Sequence, residues 1–210
     1  MGIGATIKYR ITGSELLGTL QNWDQLINFD VSLIGCGGTA LTLLNIKEST
    51  KDIDFIVPIE KEHERLMKFL SSIGYKERGG GLAHPDDPFF LYQFWSGNRV
   101  FTTDLLESPL KRDNNISIKK WRHIYLGALN LYDLIITKIF RGTSVDVNDC
   151  VSAFMISGLD PERLFKRYSE AAEYDLNPDR MMSNFIVYIE ALVERGAINK
   201  NFLGKLRSGR

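Results

Sequence analysis

Val31–Pro58 reads VSLIGCGGTALTLLNIKESTKDIDFIVP. The apolar run 31–35 is a strand, and Gly37-Gly38 is a turn. Thr39 to Ile46 is a short apolar helix, too short to persist without packing. Lys47 to Lys51 is a polar loop, and Asp52 to Val57 is a second strand stopped by Pro58. That strand opens with Asp52 and Asp54. Side chains at i and i+2 of a strand leave from one face, about 7 Å apart at the backbone. Two carboxylates so placed are hard oxygen donors that suit Mg²⁺ or Mn²⁺. A glycine turn at a helix start aims backbone N–H groups outward, which suits a phosphate. A metal clamp and a phosphate cradle in one unit point to nucleotide chemistry.

The same residues resemble the signature of the nucleotidyltransferase superfamily of DNA polymerase β type. That signature is an apolar residue, Gly, Gly or Ser, a spacer, then Asp-apolar-Asp-apolar. Here it is Cys36-Gly37-Gly38, thirteen residues, and Asp52-Ile53-Asp54-Phe55. The lead-in TKDIDF resembles the toxin-like, AbiE-type prokaryotic branch. Many members carry Ser where this chain has Gly38, which leaves the backbone of Gly37 and Gly38, or Thr39, to hold the phosphates. The resemblance implies NMP transfer from an NTP to an acceptor hydroxyl on RNA, a protein or a small molecule. For the toxin-like branch it also implies an antitoxin partner. Two-metal transfer needs a third carboxylate, and Asp104, in the apolar stretch FTTDLL, is the candidate. An acid in an apolar strand is costly unless it is paired or binds metal. Leu131, Leu134, Ile135 and Lys138 share one helical stripe. On that stripe Lys138 is either a lysine snorkelling at the core rim or one reaching the phosphates. Thr-Lys138-Ile-Phe-Arg141 and Asp146-x-x-Asp149 resemble the lysine and aspartates of that branch, with Asp149 the functional acid and Asp146 an N-cap.

Composition sets outer bounds. The 210 residues allow one domain, or a compact domain with a helical extension. Lys plus Arg and Asp plus Glu both number 26, so zero net charge argues against a long nucleic-acid footprint. Two cysteines, Cys36 and Cys150, form no disulfide framework or zinc pattern, which suits a reducing, cytoplasmic setting. No apolar run reaches the ~18 residues of a membrane helix, so no membrane partner is expected. Met1-Gly2 with Thr6 fits a loose myristoylation pattern, so short that it occurs often by chance.

Outward from the core stretch, residues 14–28 repeat as a helix with Ser14 as N-cap. Glu60 to Ile73 is an amphipathic helix ended by Gly74, so strand, helix and next strand make a crossover unit. Residues 89–95 are a strand, Ser96-Gly97-Asn98 a turn, and Arg99 to Leu106 the return strand. Gly79–Gly81 and His84–Pro88 read as a flexible loop. From about Leu126 the chain is helical, with Asn130 capping a helix to Phe140 and helices near 146–157, 161–174 and 179–195. The tail from Asn199 is basic and frayed. The expectation is an α/β (α+β) fold: a nucleotidyltransferase-like small twisted mixed sheet with flanking helices over 1–122, and a helical C-terminal region over 123–210 packed against it.

Other groups carry less. His63 reads as solvated, and His84 with Asp86 and Asp87 as a weak metal set. Lys111, Arg112, Lys119, Lys120 and Arg122 read as a solvated linker or a guide for a polyanionic acceptor. Gly35-x-Gly37-x-x-Ala40 with Asp54 also matches a dinucleotide-binding fingerprint, although there the acid ends the second strand rather than opening it. A non-catalytic nucleotidyltransferase-like binding module is the remaining alternative.

Overall fold

A computed structural model describes residues 10–208. The Met1-Gly2-Thr6 pattern lies outside the described residues. The elements are β1 (Ile11–Thr12), α1 (Gly13–Leu26), β2 (Val31–Gly35), α2 (Gly37–Leu43), β3 (Ser49–Thr50), β4 (Asp52–Val57) and α3 (Glu60–Ser72). Then come β5 (Lys76–Arg78), β6 (Gly81–His84), β7 (Asp87–Ser96), β8 (Arg99–Val100), β9 (Thr103–Asp104), β10 (Asn115–Lys120) and β11 (Ile124–Leu129). The chain ends in α4 (Leu131–Arg141), α5 (Ser144–Ser157), α6 (Pro161–Ala172), α7 (Pro178–Glu194) and α8 (Lys200–Ser208). The fold is α/β, and the contacts divide it into two compact units. One takes the chain to Asn98 plus Ser108–Leu129; the other takes Arg99–Glu107 plus Asn130 onward.

The sheet unit is built on a seven-stranded mixed sheet in the order β10-β11-β2-β4-β7-β6-β5. Period-two alternation sends Ile53, Phe55 and Val57 of β4 to one face and Asp52, Asp54 and Ile56 to the other. The first face carries the core: Leu16, Leu20 and Trp23 of α1, Leu66 and Leu70 of α3, and Val31, Leu33, Phe55, Tyr92 and Leu126 of the sheet. Leu16 and Leu20 are fully buried, each worth about 1.5–3 kcal/mol. Trp23 packs on Tyr92 and edge-on to Tyr75. The cap of α1 is Thr12, not Ser14: Thr12 and Glu15 form a reciprocal capping box, a T-x-x-E signal two residues upstream of the expected start.

β4 and β7 are parallel neighbours joined through α3, as the strand-helix-strand pattern implies. The Gly- and Pro-rich stretch between them is two tight hairpins rather than a flexible loop. Gly79 and Gly80 both take positive φ, the signature of a two-residue turn, and β5 and β6 pair across them. The expected return strand at 99–106 is absent from the sheet. Phe101 adopts φ +54 and breaks it into the short β8–β9 ribbon. The chain turns helical at Leu131, later than periodicity suggested, because Ile124–Leu129 is a strand parallel to β2.

The helical unit packs α4–α8 around Ile135, Phe140, Val151, Phe154, Tyr168, Phe185 and Tyr188. The starts of α4 to α7 are each capped: Asn130, Thr143, Asp160 and Asn177 accept from backbone N–H groups of the first turn. Gly142 and Gly158 end α4 and α5 in the left-handed conformation. The basic tail is ordered as α8 as far as Ser208, because Phe202 and Leu206 are buried in this core.

Candidate functional site

The aspartate pair sits where β2 stops and α2 starts. β2 pairs with β4 only through Ile34–Ile56 and Gly35–Phe55. Beyond Gly35 the edge of β4 is served by groups outside β2. The Cys36 N–H donates to the Asp54 carbonyl at 3.0 Å. The Asp54 N–H donates to Thr39 Oγ1 at 2.9 Å. The hydroxyls of Thr39 and Thr50 both donate to the Asp52 carbonyl, at 3.2 and 2.9 Å. Thr39 is therefore engaged within the protein. Its single hydrogen goes to Asp52, so the expected phosphate contact from its side chain is not available in this arrangement.

Asp52 is exposed, whereas Asp54 is 5% exposed. Both glycines of the turn face close side-chain neighbours. A Cβ on Gly37, at φ +56, would stand 2.7 Å from Asp54 Oδ2. The Asp54 carboxylate thus lies directly against the backbone at the start of α2. A Cβ on Gly38 would stand 2.5 Å from Thr50 Oγ1. A serine at this position would require the Thr50 hydroxyl to move.

The other candidate residues belong to the helical unit. Asp104 lies on the two-residue strand β9 of the ribbon, not on a neighbouring strand of the main sheet. Its side chain is 71% exposed and faces Arg99 at 3.9 Å. The premise of an acid buried in an apolar strand therefore fails. Lys138 neither snorkels nor reaches outward. It is 4% exposed, with Nζ 2.9 Å from Asp149 Oδ2 and 3.4 Å from Asp146 Oδ1. Asp146 is more than a cap. It accepts two hydrogen bonds from Arg141, at 2.6 and 2.9 Å, and one from Thr143 at 2.7 Å. Burial opposes its ionisation, but the Arg141 and Thr143 bonds and the charges of Arg141 and Lys138 win and hold its pKa at about 2.

His84 is committed internally. Its Nδ1 accepts the Asp86 N–H, which leaves Nε2 to donate to the Ile73 carbonyl at 3.2 Å. His63 is half-buried, with Nε2 3.2 Å from the Phe94 carbonyl, rather than solvated. Lys119 and Lys120 are exposed on the edge strand β10, so part of the expected linker is sheet. Among the described residues no group of three His, Cys, Asp or Glu side chains is gathered as a metal set. The dinucleotide reading is overturned by direction: β2 and β4 are antiparallel, whereas that fingerprint needs a parallel βαβ unit.

Residues 15–196 match the family described as "Nucleotidyltransferase of unknown function (DUF6036)". The chain belongs to this family. No curated protein matches it. A crystal structure of an antigenic nucleotidyltransferase-like protein from Paracoccidioides brasiliensis shares the fold. Its TM-score is 0.52 at 12% identity, covering 88% of this chain and 93% of that one. Among the described residues of this nucleotidyltransferase family member, no helix is long and apolar enough to cross a membrane.

Several buried charges escaped sequence reasoning. Asp24, on α1, accepts from the backbone N–H groups of Arg122, His123 and Ile124 at 3.2, 2.7 and 2.8 Å. Burial works against its charge, yet those amides outweigh it and hold its pKa below the ordinary carboxylate value. It ties α1 to the start of β11. Asp133 forms a bidentate pair with Arg167 at 2.6 and 2.8 Å. Only the position of Asp24 on an otherwise apolar helix face, one residue after Trp23, could have flagged it.

Proposed function

We propose that this family member is a metal-dependent nucleotidyltransferase that moves NMP from an NTP to an acceptor hydroxyl. The observation that carries the reading is the Asp54 carboxylate seated against Gly37, with Asp52 two residues before it on the same strand face. The donors fit a hard divalent cation: two carboxylates, one held by its surroundings and one exposed to meet a ligand. Asp52 and Asp54 would hold Mg²⁺ or Mn²⁺. When bound, the cation supplies neutralisation of the triphosphate and activation of the acceptor hydroxyl.

The chain's own part is positioning. Gly37 and Gly38 bring backbone amides to the strand end without a side chain to block the approach, and these N–H groups would hold the phosphates of a bound NTP. The Thr39 hydroxyl fixes the strand rather than the nucleotide. The reading does not rest on Asp104. Lys138 and Asp149 enter it as a buried ion pair that braces the helical unit, with Lys138 as a phosphate ligand the competing assignment.

The test uses Mg²⁺ with a non-hydrolysable NTP. Ligation raises the melting temperature of the parent by mass action. In Asp52→Asn/Asp54→Asn that rise should vanish. The metal-free double variant should be as stable as the parent or more so, because closely spaced like charges are removed. Equal stabilisation of parent and variant would overturn the metal site. Labelled NTPs added with a cell extract then identify the acceptor: nuclease-sensitive label means RNA, protease-sensitive label means protein. Growth arrest on expression, relieved by the double variant, would mark the toxin-like branch and its need for an antitoxin.

A further inference from the structure

We infer that Thr39 and Thr50 are positioning residues for the aspartate pair, and that their hydroxyls set its affinity for a divalent cation. The inference rests on the metal-binding reading of Asp52 and Asp54. It starts from an edge problem. β4 needs partners along its β2-facing edge, but β2 ends at Gly35 and the chain leaves for α2. The Cys36 N–H still reaches the Asp54 carbonyl, but at the Asp54 N–H and the Asp52 carbonyl side chains take the place of a strand. Thr39 Oγ1 bridges two backbone groups, accepting from the Asp54 N–H and donating to the Asp52 carbonyl. Thr50 Oγ1, on β3, donates to the same carbonyl.

Both threonines are buried, Thr39 at 0% and Thr50 at 5% exposure. Each is locked by a neighbour. Thr39 lies in the first turn of α2, one residue past Gly38, and Thr50 Oγ1 fills the space beside Gly38 that a Cβ would occupy. Two hydroxyls therefore supply both hydrogen bonds that one carbonyl oxygen can accept. They fix the peptide units from which both carboxylates depart. A strand end held only by its own ladder frays. Here the torsions that aim Asp52 and Asp54 are pinned from α2 and β3 at once. Ligand-orienting partners of this kind govern metal affinity without touching the metal.

The test is Mn²⁺ binding to the folded protein, read by electron paramagnetic resonance well below the melting temperature. Thr39→Val keeps the shape and removes the hydroxyl. It should weaken Mn²⁺ binding by about 10–100-fold, the range for loss of outer-shell partners. Thr50→Val, which loses one bond rather than two, should weaken it less, and Thr39→Ser should restore the parent affinity. A merely structural role would lower the melting temperature of Thr39→Val and leave the Mn²⁺ affinity of its folded form unchanged. That result would overturn the inference while leaving the metal site intact. Should Thr39→Val fail to fold, Thr50→Val against Thr50→Ser decides by the same criterion. A parent that binds no more Mn²⁺ than Asp52→Asn/Asp54→Asn removes the metal reading and this inference together.

Discussion

The sheet unit and the helical unit hold their buried acids by different means. In the sheet unit Asp24 takes three N–H groups of the 122–124 segment, and the Asp54 carboxylate is buried beside Gly37, where a Cβ would stand 2.7 Å from Oδ2. In the helical unit the partners are cations: Asp146 with Arg141 and Lys138, Asp149 with Lys138, and Asp133 with Arg167. Amide partners fix an acid without neutralising its charge, which leaves the charge available to a metal. Cationic partners neutralise it and leave a stable brace with little to offer a ligand. By this contrast Asp52–Asp54 is the better candidate for chemistry and Lys138–Asp149 the better candidate for stability.

The largest expected effect tests the brace. Asp146→Ala leaves buried Lys138 with Asp149 alone, removes the bonds to Arg141 and Thr143, and should cost about 3–5 kcal/mol in urea unfolding. A loss below about 1 kcal/mol would mean the network is solvated and the contrast false. Gly37→Ala tests the sheet side. The positive φ costs a side chain about 1–2 kcal/mol, and displacing the Asp54 carboxylate adds about 1–3 more. The variant should also lose Mg²⁺–nucleotide stabilisation, whereas Asp146→Ala should retain it while folded. Opposite outcomes for those two variants would reverse the assignment of roles.

Smaller effects sharpen the comparison. Asp24→Asn keeps the shape but weakens charge-assisted bonds to three amides, with a loss of about 1.5–3 kcal/mol in the same assay. Acid titration probes Asp146. Its folded pKa is depressed, so its contribution is fully present above the ordinary carboxylate value and is lost as pH falls through about 2. At about 1.4 kcal/mol per unit, that is roughly 2 kcal/mol, absent from the acid limb of Asp146→Asn. The smallest change is Tyr188→Phe. The Tyr188 hydroxyl is fully buried with no hydrogen-bond partner among the described residues. Removing it should leave stability unchanged or raise it by up to about 1 kcal/mol, read as a small rise in melting temperature.

The sequence determined what depends on neighbours along the chain. Glycine spacing and period-two alternation gave the turn and put Asp52 and Asp54 on one face. Asn130, Gly142, Gly158, Asp160-Pro161 and Asn177-Pro178 punctuated the helices because capping is local chemistry. The Thr12–Glu15 box was equally local and was legible in T-x-x-E. Tertiary structure alone decided the rest. Strand direction made β2 and β4 antiparallel neighbours and excluded the dinucleotide fold, and no local pattern encodes a partner's direction. A single positive φ at Phe101 took Asp104 out of the sheet. Thr39 and Thr50 turned toward the Asp52 carbonyl because β2 ends early. Asp24 met its amides a hundred residues away, and Lys138 met Asp149 rather than solvent. Each of these contacts satisfies a buried polar group, and which group will be buried is fixed only when distant segments pack.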